Sequence, residues 1–543
     1  MRLLRVHIIQ ADTCGGLLDG LDVWLRGALN APLTFDPICL IGPNGAGKSQ
    51  FLQIVAEMFQ SIFHAAVSAE ERIEGNPTLQ FELEYLIRPA NAKEDVHVRV
   101  SRKADEKHKF RLLIEKKKSG GDWEECAYPS KQALALLPRK VVGYTSGDNE
   151  TLSLPFLLSR SGYAEDVTTQ ALDESATGNG IPDTRLMMID YGTHLEVLVS
   201  NLILSGEVQS KALVNEARLK GLHSFRCIVQ LAHSAVPKAP SHLKDRSPRK
   251  GIQLTQELEK YLDQLKRCAT CHHFEEKTEK YTFDFFMDGE TVRAFSAFWT
   301  AALDLYSALH KLAMLNDLAI PKPTRERFRK ETEKRRFASR LPEPQDEDKV
   351  FRFERVNFRA AGSNQIVDYV SLSDGEHQLT QLLGTFCMLS YADVLFLLDE
   401  PESHFNPQWR VKFVSRLLDL PTAHGTRRNE TAASQQDALL TTHAPFVPSD
   451  MPRDKVLIFG KDKQRIVVKR PDIETFGSTF DAILDVCFDV RPPFSEEPRK
   501  KINELKHSNS PDKIRQGMEQ LGHSVEKAFL ADRLRQLPKE GKK

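Results

Sequence analysis

Gly42-Pro43-Asn44-Gly45-Ala46-Gly47-Lys48-Ser49 matches the pattern G-x-x-x-x-G-K-[ST] at every fixed position. No other feature narrows the fold as much, because this loop works only between a buried strand and the start of a helix. Both flanks are present. Pro37-Ile38-Cys39-Leu40-Ile41 reads as a buried strand and Gln50-Phe51-Leu52-Gln53-Ile54-Val55 as a helix beginning. Glycines let the backbone wrap a phosphate closely. Main-chain N–H groups and the helix N-terminus then make an anion site. Lys48 is expected to neutralise the β- and γ-phosphates, and Ser49 to hold Mg²⁺ through its hydroxyl. The segment from Gly42 to Ser49 is thus the expected binding loop for ATP with Mg²⁺.

A second anchor lies far downstream. Val394-Leu395-Phe396-Leu397-Leu398-Asp399-Glu400 is an apolar run ending in two carboxylates. A continuous apolar run suits a central parallel strand covered on both faces. Asp399 at its end is placed to bind Mg²⁺, and Glu400 to polarise the water that attacks the γ-phosphate.

Between these anchors stands Ser371-Leu372-Ser373-Asp374-Gly375-Glu376-His377-Gln378, followed by the apolar positions Leu379, Leu382, Leu383 and Phe386. Ser373 with Glu376 three residues on is a capping box in its own right. The stretch also resembles the ABC/SMC ATPase signature, in an L-S-D-G-E form. That resemblance implies that Ser373 and Gly375 complete the nucleotide site of a neighbouring subunit, and hence a homo-oligomer, at least a dimer. Pro401-Glu402-Ser403-His404-Phe405-Asn406-Pro407 looks like the D-loop of the same superfamily, in the E-P-E-x-H form of its OLD-like branch. Leu439-Leu440-Thr441-Thr442-His443-Ala444-Pro445 is similar to its switch strand. His443 is the residue expected to sense the γ-phosphate.

One expected element is missing. The family carries a Gln after a strand of the first lobe, whereas Val141-Val142-Gly143-Tyr144-Thr145 is followed by Ser146-Gly147-Asp148-Asn149-Glu150. Asp148 or Asn149 is the nearest substitute. The resemblance implies an α/β fold: an ABC/SMC-type P-loop ATPase head of two lobes with a largely helical insertion and a helical C-terminal tail. The expected boundaries are 1–155 for the first lobe, 156–280 for the insertion, 281–472 for the second lobe and 473–543 for the tail. Prolines 237, 240 and 248 suggest a joint inside the insertion. That insertion is too short for long coiled-coil arms and shows no sustained heptads.

Lys+Arg and Asp+Glu balance at 75 each, so any nucleic-acid contact must come from a local patch. The densest basic run is Arg325, Arg327, Arg329, Lys330, Lys334, Arg335, Arg336 and Arg340. Glu326, Glu331 and Glu333 interleave it, the pattern of a solvated helix with i,i+4 pairs. Eight Cys are scattered and read as reduced thiols of a cytoplasmic protein. Cys268-Ala269-Thr270-Cys271-His272-His273 holds half of a zinc site, and the missing ligands weigh against zinc at Cys268 and Cys271. The opening Met1–Ile9 segment reads as an edge strand rather than a signal peptide. No apolar run reaches the roughly 18 residues of a membrane span, so no membrane is expected as a partner.

Glu474-Thr475-Phe476-Gly477-Ser478-Thr479-Phe480-Asp481 and Leu521-Gly522-His523-Ser524-Val525-Glu526-Lys527 look like the tail of PtuA-type ATPases. Those work in Septu and retron anti-phage systems. The resemblance implies an ATP hydrolase that controls an HNH-type nuclease in trans, with a retron reverse transcriptase and its DNA–RNA product as further partners. No D-x-D carboxylate pair suited to two metals follows the last ATPase motif, so no nuclease activity of the chain's own is expected. The alternative is a DNA-repair or recombination ATPase of the SMC/RecF type.

Overall fold

The apolar run Val394–Asp399 becomes a strand buried along its whole length. In this computed structural model the described residues are 1–537 except 28–34, 91, 93, 108, 118–120, 148–149, 172–179, 191, 216, 233–237, 239–248, 335–342, 364, 423, 464 and 492–494. Val394–Asp399 belongs to a seven-stranded sheet in the order Arg465–Lys469, Val456–Asp462, Ile38–Ile41, Asp437–Thr441, Val394–Asp399, Lys140–Thr145, Leu186–Ile189. Every neighbouring pair is parallel except the outermost, Val456–Asp462 with Arg465–Lys469. The inner strands Ile38–Ile41 and Asp437–Thr441 are also buried throughout, as expected for a parallel sheet covered on both faces.

The helix after the phosphate loop, Lys48–Ala66, is buried over most of its surface. It shares one apolar core with a second, six-stranded antiparallel sheet. Phe51 meets Phe459 of the parallel sheet at 5.4 Å between ring centroids, and Phe59 meets Tyr85 of the antiparallel sheet at 6.1 Å. Fully burying such side chains is worth roughly 1.5–3 kcal/mol each. The phosphate loop is therefore held from two sheets at once.

The N-terminal strand needs correcting. Arg2–Gln10 is not at an edge; it lies between Leu21–Trp24 and Gln80–Ile87, antiparallel to both. Leu3, Val6 and Ile8 enter the core, and the short partner that covers its other side is too brief to stand out in the sequence.

A third sheet, all antiparallel, runs Cys271–Glu275, Lys280–Phe286, Leu219–Gln230, Phe351–Ala360, Ile366–Asp368. Its last strands lead into the helix Asp374–Met388. The stretch 156–280 is mainly helical, beginning inside the helix Glu150–Gln170, but it is woven into the sheets. It carries the helices His194–Leu204, Glu207–Asn215 and Gln256–Cys268, but Leu186–Ile189 extends the nucleotide sheet and Leu219–Gln230 is the centre of the third. The pairing of Leu186–Ile189 with Lys140–Thr145 and of Leu219–Gln230 with Lys280–Phe286 and Phe351–Ala360 decides this, and local periodicity does not report such pairing. The prolines 237, 240 and 248 lie outside the described residues.

The chain forms two compact units, Met1–Gly477 and Ser478–Lys543. The second is helical: Phe480–Phe488, Glu496–His507, Pro511–Glu519 and Val525–Gln536. Its small core gathers Leu505, Ile514 and Leu530. Among the described residues no helix is long and apolar enough to cross a membrane.

Candidate nucleotide site

Four parallel strands end on one side of the sheet, and their C-terminal ends are where ligands bind in open α/β sheets. Ile38–Ile41 delivers Gly42–Ser49, Val394–Asp399 delivers Asp399 and Glu400, Asp437–Thr441 delivers Thr442 and His443, and Lys140–Thr145 delivers Ser146. Gly42 stands at φ 138° with its α-carbon against the neighbouring strand, so that a Cβ there would lie 2.1 Å from the Phe459 carbonyl oxygen. Only glycine fits, and the loop is thereby forced to turn back over the sheet.

Lys48 is 5% exposed and donates to the carbonyls of Gly42 at 2.9 Å and Pro43 at 3.2 Å. Burial pulls its ammonium pKa down, while Glu400 and Asp399 pull it up. Ser49 Oγ donates to Asp399 Oδ1 at 2.9 Å, and Thr441 Oγ1 donates to the same oxygen at 2.6 Å. Burial pushes the Asp399 carboxyl up, opposed by these two hydrogen bonds. A hydroxyl and a carboxylate brought together on a phosphate loop are the hard oxygen donors that suit Mg²⁺. Ser49 and Asp399 thus fit the metal expected of them.

Glu400 is one of few non-glycine residues at positive φ, 47°. Its N–H donates to Thr441 Oγ1 at 3.0 Å, and its Oε1 lies 3.3 Å from His443 Nε2. Non-glycine residues in the left-handed region gather at functional sites, where surrounding structure holds them. Burial lowers the His443 pKa, and Lys48 lowers it further. A neutral imidazole donating to a carboxylate is the consistent state at neutral pH.

Ser373 caps the helix Asp374–Met388, and the capping box is complete: the Glu376 N–H donates to Ser373 Oγ, and Glu376 Oε2 accepts from the Ser373 N–H at 2.8 Å. Ser373 is exposed, and its side chain bonds only Glu376 among the described residues. The structure therefore brings together Lys48, Ser49, Asp399, Glu400 and His443 and leaves Ser373 and Gly375 outside that cluster. Asp148 and Asn149 lie outside the described residues.

Several participants were not singled out from the sequence. Thr441 bridges Asp399 and Glu400, and Thr442 donates to Glu402, which is 2% exposed with its carboxyl pushed up to about 7 by burial. The doubled Thr before His443 and the Glu in E-P-E-x-H were the available signals. Cys268 is buried while Cys271 is exposed, and no group of three His, Cys, Asp or Glu able to hold a metal occurs among the described residues. The basic run forms the helix Lys322–Glu333 in its described part, with Lys322 3.8 Å from Glu326 and Arg329 2.7 Å from Glu165. Arg335, Arg336 and Arg340 lie outside the described residues.

Residues 288–450 match the family described as "AAA domain, putative AbiEii toxin, Type IV TA system". This span takes in Ser373, Asp399, Glu400 and His443, and the phosphate loop precedes it. The chain carries an AAA-type P-loop ATPase domain. Over 94 residues it is 34% identical to Protein ea59 of Escherichia phage lambda, a match spanning 17% of this chain and 16% of that protein. A solved structure of the recombination mediator protein RecF with ATP, from the RecFOR pathway, aligns over 86% of this chain and 97% of that chain. The identity there is 10% and the TM-score 0.31. Within this chain the loop Gly42–Ser49, Lys48, the Ser49–Asp399 oxygen pair, Glu400 and His443 lie together at one end of the sheet.

Proposed function

We propose that this protein is an ATP-hydrolysing switch whose sites are completed between two copies, and whose nucleotide state controls a nuclease supplied by another chain in an anti-phage defence complex. The observation that carries the first part is the contrast between a nucleotide cluster complete in loop, metal oxygens and base, and a signature serine that stands exposed. Glu400 accepts the proton of the attacking water as its oxygen bonds the γ-phosphorus and ADP leaves. His443 orients Glu400 and meets the γ-phosphate. Ser49 and Asp399 would hold Mg²⁺, which would supply positive charge against the phosphate oxygens.

The defence reading draws support from the likeness of Glu474–Asp481 and Leu521–Lys527 to PtuA-type tails and from the matched family's description as a toxin of a Type IV TA system. An HNH-type nuclease is the partner this reading requires, with a reverse transcriptase and its DNA–RNA product where a retron is present, all acting in the cytoplasm. Two experiments test it. Ser373→Arg and Lys48→Ala proteins, each inactive, should regain some hydrolysis when mixed, because one composite site is then whole. Co-expression with the neighbouring genes should yield a complex with an HNH-type protein that cuts DNA only when triggered. DNA cleavage by the isolated chain, abolished by Asp399→Ala, would overturn the reading.

A further inference from the structure

The glutamine expected after the strand Lys140–Thr145 is missing, yet that strand end is not idle. Gln378, five residues past Ser373 on the signature helix, donates its side-chain amide to the Ser146 carbonyl. Ser403 of the D-loop donates to Ser146 Oγ at 2.6 Å. Arg410 holds the Ser403 carbonyl in turn, and Tyr144 reaches the Gln378 carbonyl at 3.5 Å. The signature turn also lies directly on the D-loop, since a Cβ at Gly375 would stand 3.0 Å from the His404 carbonyl oxygen. One residue before Ser403, Glu402 accepts from Thr442, the neighbour of His443. A continuous line of contacts therefore runs from the switch histidine, through Glu402, Ser403 and Ser146, to the signature helix.

We infer that Gln378 is the positioning residue that couples nucleotide occupancy of the phosphate loop to the placement of the signature helix, reaching from the signature side to Ser146 where the sequence lacks a glutamine on the strand side. The inference rests on the reading of Ser373 as the signature serine of a composite site. Buried amides are normally satisfied at both ends. Here the Gln378 NH₂ is bound to Ser146, while Oε1 is buried with no hydrogen-bond partner among the described residues. A closed arrangement that brings a donor to that oxygen is favoured over the open one through this side chain. Ser403 acts on the same Ser146 from the D-loop, which makes the two residues one coupled unit rather than two independent contacts.

The test uses the full chain. Gln378→Met keeps the volume of the side chain and removes its amide. It should leave the affinity for ATP within about twofold, because Lys48, Ser49 and Asp399 are intact, and lower kcat by about 5- to 150-fold, the span of a typical coupling between sites. Ser403→Ala should show the same split, and the double variant should lose little beyond either single one. ATP-driven self-association should weaken in step with kcat. Wild-type turnover in both Gln378→Met and Ser403→Ala would overturn the inference, and so would a loss of ATP affinity parallel to the loss of kcat. The composite-site reading fails separately, by full activity of Ser373→Arg. A dead Ser373→Arg beside fully active Gln378→Met and Ser403→Ala proteins would sink only the role of Gln378.

Discussion

Two helices in this molecule begin at motifs expected to meet phosphate, and their N-termini are built in opposite ways. Lys48–Ala66 starts from Gly47, with no side-chain cap and no acidic residue in its first turn. Asp374–Met388 starts from Ser373, with a complete capping box and with Asp374 and Glu376 in its first turn. The first end leaves its N–H groups and its partial positive charge for an anion; the second meets its own needs with a serine and two carboxylates. An anion reaches the second end only by displacing a cap worth about 1 kcal/mol and by entering the field of two acids. On the proposed reading, the phosphate loop is the primary nucleotide site and the signature a late, conditional contact. This ordering is what a switch between separated and joined copies requires.

The largest effect should come from chemistry on the open side. Glu400→Gln should keep ATP binding and reduce hydrolysis by about 10²–10⁴-fold, the usual worth of a positioned general base. Hydrolysis at the wild-type rate in this variant would remove Glu400 from the role of base. Lys48→Ala should instead weaken ATP binding by about 10- to 100-fold, in line with the loss of charge-assisted hydrogen bonds. Ser373→Ala should leave the affinity of an isolated chain within about twofold, because its hydroxyl serves its own helix. If Ser373→Ala weakened nucleotide binding as much as Lys48→Ala, the asymmetry between the two helix ends would be broken.

In stability the two halves are alike. Behind the phosphate-loop helix Glu71 accepts from Ser159, and beside the signature helix Glu196 lies on His194–Leu204, whose Asn201 donates to the Gly384 carbonyl at 2.9 Å. Burial pushes each carboxyl from 4.5 to about 7. A folded pKa above the unfolded one means that the folded chain holds the proton more tightly. The stability this provides is fully present below about pH 4.5 and is lost as pH rises toward 7. Each group is worth up to about 3 kcal/mol across that window. Glu71→Gln and Glu196→Gln should therefore raise the thermal midpoint at pH 8 more than at pH 5. A gain that is equal at both pH values, or larger at pH 5, would show that these carboxyls are not held protonated.

The open end of this comparison was legible in the sequence and the conditional end only partly so. Gly42–Ser49, Asp399, Glu400 and His443 each follow an apolar strand, and a motif that names its own structural context can be placed without knowing the rest of the fold. The capping box was legible for the same reason, since Ser373 and Glu376 are three residues apart. The connection between the halves was not. Ser146, Gln378 and Ser403 meet across separations of more than 230 residues, and each alone is an ordinary polar residue in a loop or helix. The N-terminal strand misled for a different reason: its second neighbour is close in sequence but only the four residues Leu21–Trp24.

The smallest expected effect is also the most direct probe of the closed end. Gln at the third position of a helix still completes a capping box, whereas it removes the charge of Glu. Glu376→Gln therefore separates the structural part of that residue from its electrostatic part. With the cap kept, the folded chain should be about as stable as wild type, within about 0.5 kcal/mol. With one carboxylate gone from the helix N-terminus, a phosphate arriving from a second copy should be repelled less, by about 0.3–1 kcal/mol. ATP-driven self-association should then tighten by about two- to fivefold, while the ATP affinity of the separate chain stays unchanged. The gain should fade as salt is added, since the repulsion being relieved is near the surface and screened. Tighter ATP binding by isolated chains would place Glu376 at the primary site instead. Weaker association, at unchanged stability, would mean that its carboxylate makes an attractive contact in the joined state, and that the second end is not a guarded one.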